Sequence, residues 1–115
     1  MALASLDEDP FLLNQEGQQI VEETIRKHCE IRVWELHAVN ARSNHVHVVV
    51  TSPGYLPKTV AIQFKAWTTK RLQQIVPQRT KFWTQGTSCR WINTEDDLVS
   101  AIEYTIEAQD RKDAE

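Results

Sequence analysis

The sequence predicts an α+β domain in which an antiparallel sheet carries helices on one face. Three observations lead there. Two alternating, β-rich runs, residues 31–39 and 45–51, are separated by residues 40–44, of which 40–43, NARS, are turn-forming, which is the signature of a hairpin. Three other segments carry apolar residues at the helical period. The resulting order is helix, strand, strand, helix, strand, helix, which suits a two-layer α+β arrangement.

Taken in order, residues 1–10 are acidic and read as a flexible leader, followed by one domain over 11–110 and a tail over 111–115. Residues 14–29 predict the first helix, with Ile20, Val21, Thr24, Ile25 and His28 in phase. The hairpin strands follow. SPGYLP, residues 52–57, is a loop, and Pro57 suits the first turn of a helix running to about 75. Val60, Phe64, Trp67 and Leu72 form its apolar face and are expected in the core. An irregular connection spans 76–86, and a short strand is predicted near 87–92. Thr94 caps the last helix, and Glu95, Asp96 and Asp97 sit favourably at the positive end of its dipole. That helix is predicted to run to about 109 with Leu98, Ala101, Ile102, Thr105 and Ile106 inward.

At 115 residues the chain suits a single core. No apolar run approaches the ~20 residues that span a bilayer, and the N-terminus lacks the basic start and apolar stretch of a signal peptide, so a cytoplasmic protein without membrane contact is expected. Cys29 and Cys89 form no CxxC pair and read as buried free thiols. The net charge of -3 conceals a strong pattern. Residues 1–23 carry six acids and no Lys or Arg; residues 24–93 carry eleven Lys/Arg against two acids; residues 94–115 carry eight acids against two bases. A +9 middle between two -6 ends suggests an anionic partner for the middle.

The chemical signal is SNHVHVVV. Residues i and i+2 of a strand share a face, so His45 and His47 point the same way and could hold one divalent ion, with further ligands supplied from elsewhere. The alternative is a pair of solvated strand histidines. Of the two tyrosines, Tyr55 lies in the SPGY loop and reads as a packing residue. Tyr104 falls about 130° from the centre of its helix's apolar face, an unusual position for an aromatic that only packs. Lys65, Lys70 and Arg71 on the second helix, then Arg79, Lys81 and Arg90, are interleaved with Trp67, Trp83 and Trp91. Cations for phosphates and aromatics for bases make a single-strand binding surface, in which Trp83 is the stacking candidate and Lys65, Lys70, Arg71 and Arg90 the phosphate candidates.

The stretches ELHAVNARSNHVHVVVTSP, FKAWTTKRL and FWTQGTSCRWINTEDDLVSAIEYTIEAQD, in this order, resemble the HUH single-strand transposases, especially the REP-associated tyrosine transposases. The resemblance covers roughly residues 11–110. It implies a ferredoxin-like fold, usually dimeric, with an Mg2+- or Mn2+-dependent site that cleaves single-stranded DNA and rejoins it through a 5′-phosphotyrosine link, with a DNA hairpin as the expected partner. Tyr104 then matches the nucleophile and His45 and His47 the metal ligands, with Gln109 as third ligand and Glu107 as its rival. The Asn-Pro ending of the REP-associated branch is absent. Relatives also begin with a further, central strand, whereas LASLDEDP makes a poor one, so the first strand is expected to be lacking. Two other classes of function compete: a non-catalytic single-stranded nucleic-acid-binding remnant of the family, and an unrelated HxH metal hydrolase using His37 as an additional ligand.

Overall fold

The computed structural model describes residues 13–43, 45–83, 92 and 94–108, with side chains described as far as Ile106. The first helix, α1, spans Gln15–Arg32. The Asn14 side chain accepts from the Gly17 N–H at 2.8 Å, satisfying one of the donors a helix start leaves open. α1 continues three residues beyond the predicted end and takes in Ile31 and Arg32, which the sequence pattern assigned to a strand. Val33 ends it in the left-handed region (φ 59°, ψ 41°), its N–H closing onto the carbonyls of Cys29 and Glu30. Ile31 and Val33 are exposed, at 67% and 86%, so β propensity here yields to the hydrogen bonds of the helix end.

Strand β1, Glu35–Ala41, pairs antiparallel with β2, Val46–Thr51. The hairpin turn is shorter than predicted, because Asn40 and Ala41 belong to β1 and the Arg42 N–H donates to the His45 carbonyl at 2.8 Å. The register pairs Asn40 with His47 and Ala41 with Val46, and shifts between Leu36 and Ala38 so that His37 is the additional residue of a bulge. Helix α2, Pro57–Ile75, has Pro at its first position and the boundaries the sequence predicts. Helix α3, Glu95–Glu103, is capped by the Thr94 hydroxyl, which accepts from the Asp97 N–H at 3.1 Å. At Tyr104 the helix changes pitch and continues as a π-helical turn, Tyr104–Ala108.

The main core lies between the sheet and α1 and α2. Val21, Ile25, Ala41, Val46, Phe64 and Leu72 belong to it, with Val39 and Val48 packed against it. These strand residues alternate with Asn40 and His47, so the latter face the opposite side, where Asn40 meets Thr105 of the π-helical turn. The α+β class therefore holds, but the helices are not confined to the one face expected: α1 and α2 cover one face and the C-terminal helical segment crosses the other, where Asn40 binds it. Trp67, expected in the core, is 46% exposed: α2 buries Val60, Ala61, Phe64, Thr68 and Leu72, a narrower stripe than its apolar composition suggested. Ile106, expected inward, is also exposed at 48%, because the π turn shifts the phase that carries Thr105 into the interior.

Among the described residues β2 pairs with β1 alone, and a groove of about 920 Å³ runs beside it, lined by Val46, Val48, Val50, Phe64, Trp83 and Leu98, among others. The leader over 1–10, the tail over 111–115, the predicted strand near 87–92 apart from Ile92, and the segment where a first strand would stand lie outside the described residues.

Candidate active site

A hairpin strand and a change of helical pitch bring three aromatic rings together. His45 immediately precedes β2 and remains in ladder geometry through its carbonyl, and His47 is the second residue of the strand. Their rings share a face, with centroids 5.0 Å apart and planes at 74°. Both are half-buried and both make contacts within the fold. Tyr104, far along the chain from both, lies with its ring centroid 5.8 Å from that of His47 and nearly perpendicular to it, at 85°. The tyrosine is 57% exposed, which leaves its phenol open to a large substrate.

The placement of Tyr104 follows from local chemistry. α3 starts at the Thr94 cap with Glu95, Asp96 and Asp97 in its first turn, all favourable to the helix dipole. No residue of α3 is buried, so the helix contributes little packing of its own. One residue past Tyr104, Thr105 is only 3% exposed, and its carbonyl accepts a hydrogen bond from Asn40 Nδ2 at 2.9 Å. That bond joins the tyrosine-bearing segment to β1 directly across from His47. Sequence reasoning missed Asn40. The sequence pattern placed residue 40 in the hairpin turn, and only the register shows that Asn40 belongs to β1 and shares a face with His47.

Gln109 lies outside the described residues, as does the Glu107 side chain. Among the described residues no group of three His, Cys, Asp or Glu side chains is arranged to hold an ion. His37 does not supplement the pair. It occupies the bulge at the other end of the hairpin, its Nε2 2.7 Å from the Thr51 hydroxyl and its Nδ1 4.0 Å from Glu35. Tyr55 packs, its ring 5.0 Å from that of Trp34. Cys29 is a buried free thiol, pushed up to about 11 by burial.

The DNA-contact candidates are dispersed. Lys65 borders the groove beside β2, which His47 also lines. Lys70 and Arg71 are exposed on α2, in the layer opposite Tyr104, and Lys70 Nζ stands 4.9 Å from the centre of the Trp67 ring. Trp83 is half-buried against the core and donates its indole N–H to Thr68 Oγ1 at 2.9 Å. Arg79 donates through Nε to the Lys81 carbonyl. Arg90 and Trp91 lie outside the described residues. No helix among the described residues is long and apolar enough to cross a membrane.

No curated protein matches the chain at a significant level. The model of the family described as "Transposase IS200 like" matches residues 8–109, a span that contains the histidine pair, the tyrosine and every described element.

Proposed function

The chain belongs to the IS200-like transposase family, a family of DNA-processing enzymes, and from that premise we propose that it cuts and rejoins single-stranded DNA with Tyr104 as nucleophile. The observation that carries this reading is the contact of the Tyr104 ring with His47, the inner member of the histidine pair. An exposed phenol beside two imidazoles, on a strand face away from the main core, is a reactive arrangement with little use in packing.

In the proposed step the phenol oxygen attacks phosphorus, and the bond to the 3′ oxygen breaks. A 5′-phosphotyrosine ester remains, and the leaving oxygen takes up a proton while the phenol gives one up. One phosphodiester is exchanged for another, so rejoining needs only a 3′-hydroxyl attacking the tyrosyl phosphate. An unassisted phenol is a weak nucleophile at neutral pH, because it ionises near pH 10.

His45 and His47 would hold a divalent ion, Mg2+ or Mn2+. The pair suits that role in its chemistry, two imidazoles side by side on one strand face with ring centroids 5.0 Å apart. Gln109 or Glu107 would add a ligand, and oxygens of water or DNA the remainder. Such an ion polarises the scissile phosphate when bound. Lys65, Lys70, Arg71 and Arg90 would pair with phosphates, Trp83 would stack on bases, a hairpin-bearing strand is the proposed substrate, and a second copy is the proposed partner.

The test is incubation with Mn2+ and end-labelled, hairpin-bearing single strands, followed by denaturing electrophoresis. A labelled protein band is expected, which Tyr104→Phe loses while it retains DNA affinity. An adduct that survives Tyr104→Phe overturns the nucleophile assignment. A protein that binds single strands and never forms the adduct is a binding remnant of its family.

A further inference from the structure

Asn40 is the penultimate residue of β1, where a polar amide fits the pleated surface poorly. Its cross-strand partner is His47, and directly opposed residues project their side chains from the same face. From that face Asn40 Nδ2 donates to the Thr105 carbonyl at 2.9 Å, a bond across 65 positions of sequence. The acceptor belongs to the residue that follows Tyr104, inside the π-helical turn. π turns are rare and gather at functional sites.

We propose that Asn40 is a positioning residue, which ties the main chain at Thr105 to β1 and so fixes Tyr104 against His47. This rests on the proposed role of Tyr104. Three features support it. The bond is to backbone, so it sets the position of the segment independently of the side chain at 105. Among the described residues burial anchors the segment little elsewhere, since α3 buries no residue and, of residues 94–106, Thr105 alone is buried. The anchor is also adjacent to the nucleophile, so little chain intervenes to absorb slack. A displacement near 1 Å at a reacting atom can cost about 100-fold in rate.

Adduct formation with labelled, hairpin-bearing single strands and Mn2+ tests the proposal in the full chain. Asn40→Ala is expected to slow the adduct by about 10- to 100-fold. Its affinity for the same strand should stay within about twofold of wild type, because Asn40 is placed in no DNA contact. Asn40→Gln, which keeps an amide donor on a longer arm, should recover part of the rate, and Asn40→Leu none. Hydrogen exchange supplies a readout independent of catalysis: amides of 104–108 should exchange faster in Asn40→Ala while those of β2 do not. Wild-type adduct rate in Asn40→Ala, or loss of rate and affinity together, overturns the positioning role. A wild-type chain that forms no adduct, or a Tyr104→Phe chain that does, overturns the underlying reading, and the exchange measurement then decides whether the tether exists.

Discussion

Val33 is the described non-glycine residue with positive φ, and it is β-branched. A Cβ in the left-handed region costs roughly 1–2 kcal/mol, more readily tolerated in Asn or Gly than in Val. With 86% exposure the side chain returns little packing. Val33→Gly should therefore raise stability by about 1 kcal/mol, after the larger unfolded-state entropy of glycine is deducted, and raise Tm by about 4 °C. A lower Tm in thermal denaturation would mean that the valine packs against something. Cys29 behaves in the opposite sense. Its thiol is pushed up from 9.0 to about 11 by burial, so the folded state favours the neutral form. That preference is fully present below pH 9 and is lost as the pH rises toward 11. At pH 8 the folded thiolate population is about 100-fold below that of an ordinary cysteine. Alkylation of Cys29 in a Cys89→Ser background should accordingly be slow in buffer and fast in urea, as read by mass spectrometry. His45 and His47 make the third residue-scale case. Mn2+ should broaden both imidazole resonances together, and His47→Ala should remove the response at His45; independent responses would mean that they do not share an ion.

At the scale of elements, α2 shows how far periodicity reaches. Its boundaries follow from Pro57 and the apolar spacing, but its buried stripe excludes Trp67, whose ring instead meets Lys70 at the surface. Periodicity gives a face, and the width of that face depends on the neighbouring helix, which the sequence does not display. The hairpin was legible because alternation and turn chemistry are local. The end of α1 was not, because Val33 takes a conformation its residue type disfavours. The candidate site divides in the same way. The His45–His47 pair is a two-residue pattern, and Tyr104 was visible as an aromatic off the apolar face. The π turn and the Asn40 bond depend on contacts across 65 positions and left no local mark. The exposed cations of α2 carry a prediction of their own. If Lys70 and Arg71 pair with phosphates of a single strand, each contributes about 0.7 to the slope of log affinity against log salt. Lys70→Ala and Arg71→Ala should each flatten the slope by that amount with little change in adduct rate at saturating DNA. Unaltered slopes would assign the strand to another surface, such as the groove beside β2 that Lys65 borders.

For the whole molecule the question is whether one chain assembles the complete site. The sheet separates two layers: α1 and α2 close the main core, while His45, His47, Asn40 and the tyrosine segment share the opposite face. Within one chain Tyr104 meets His47 and Thr105 is bonded to Asn40. If Tyr104 is the nucleophile and keeps this contact during the reaction, it acts within its own subunit. Mixing two inactive variants tests it. His47→Ala retains the tyrosine, and Tyr104→Phe retains the histidine pair. If each chain must supply both, no random mixture of the two forms an adduct. If dimers exchange their tyrosine segments, an equal mixture regains about a quarter of the wild-type sites, because half the dimers are mixed and each has one intact composite site. The measurement is labelled adduct per total protein after the variants are co-refolded, with each variant alone as the baseline. Recovery near a quarter would show that the tyrosine crosses to the partner during the reaction, and that the contact with His47 describes a resting arrangement.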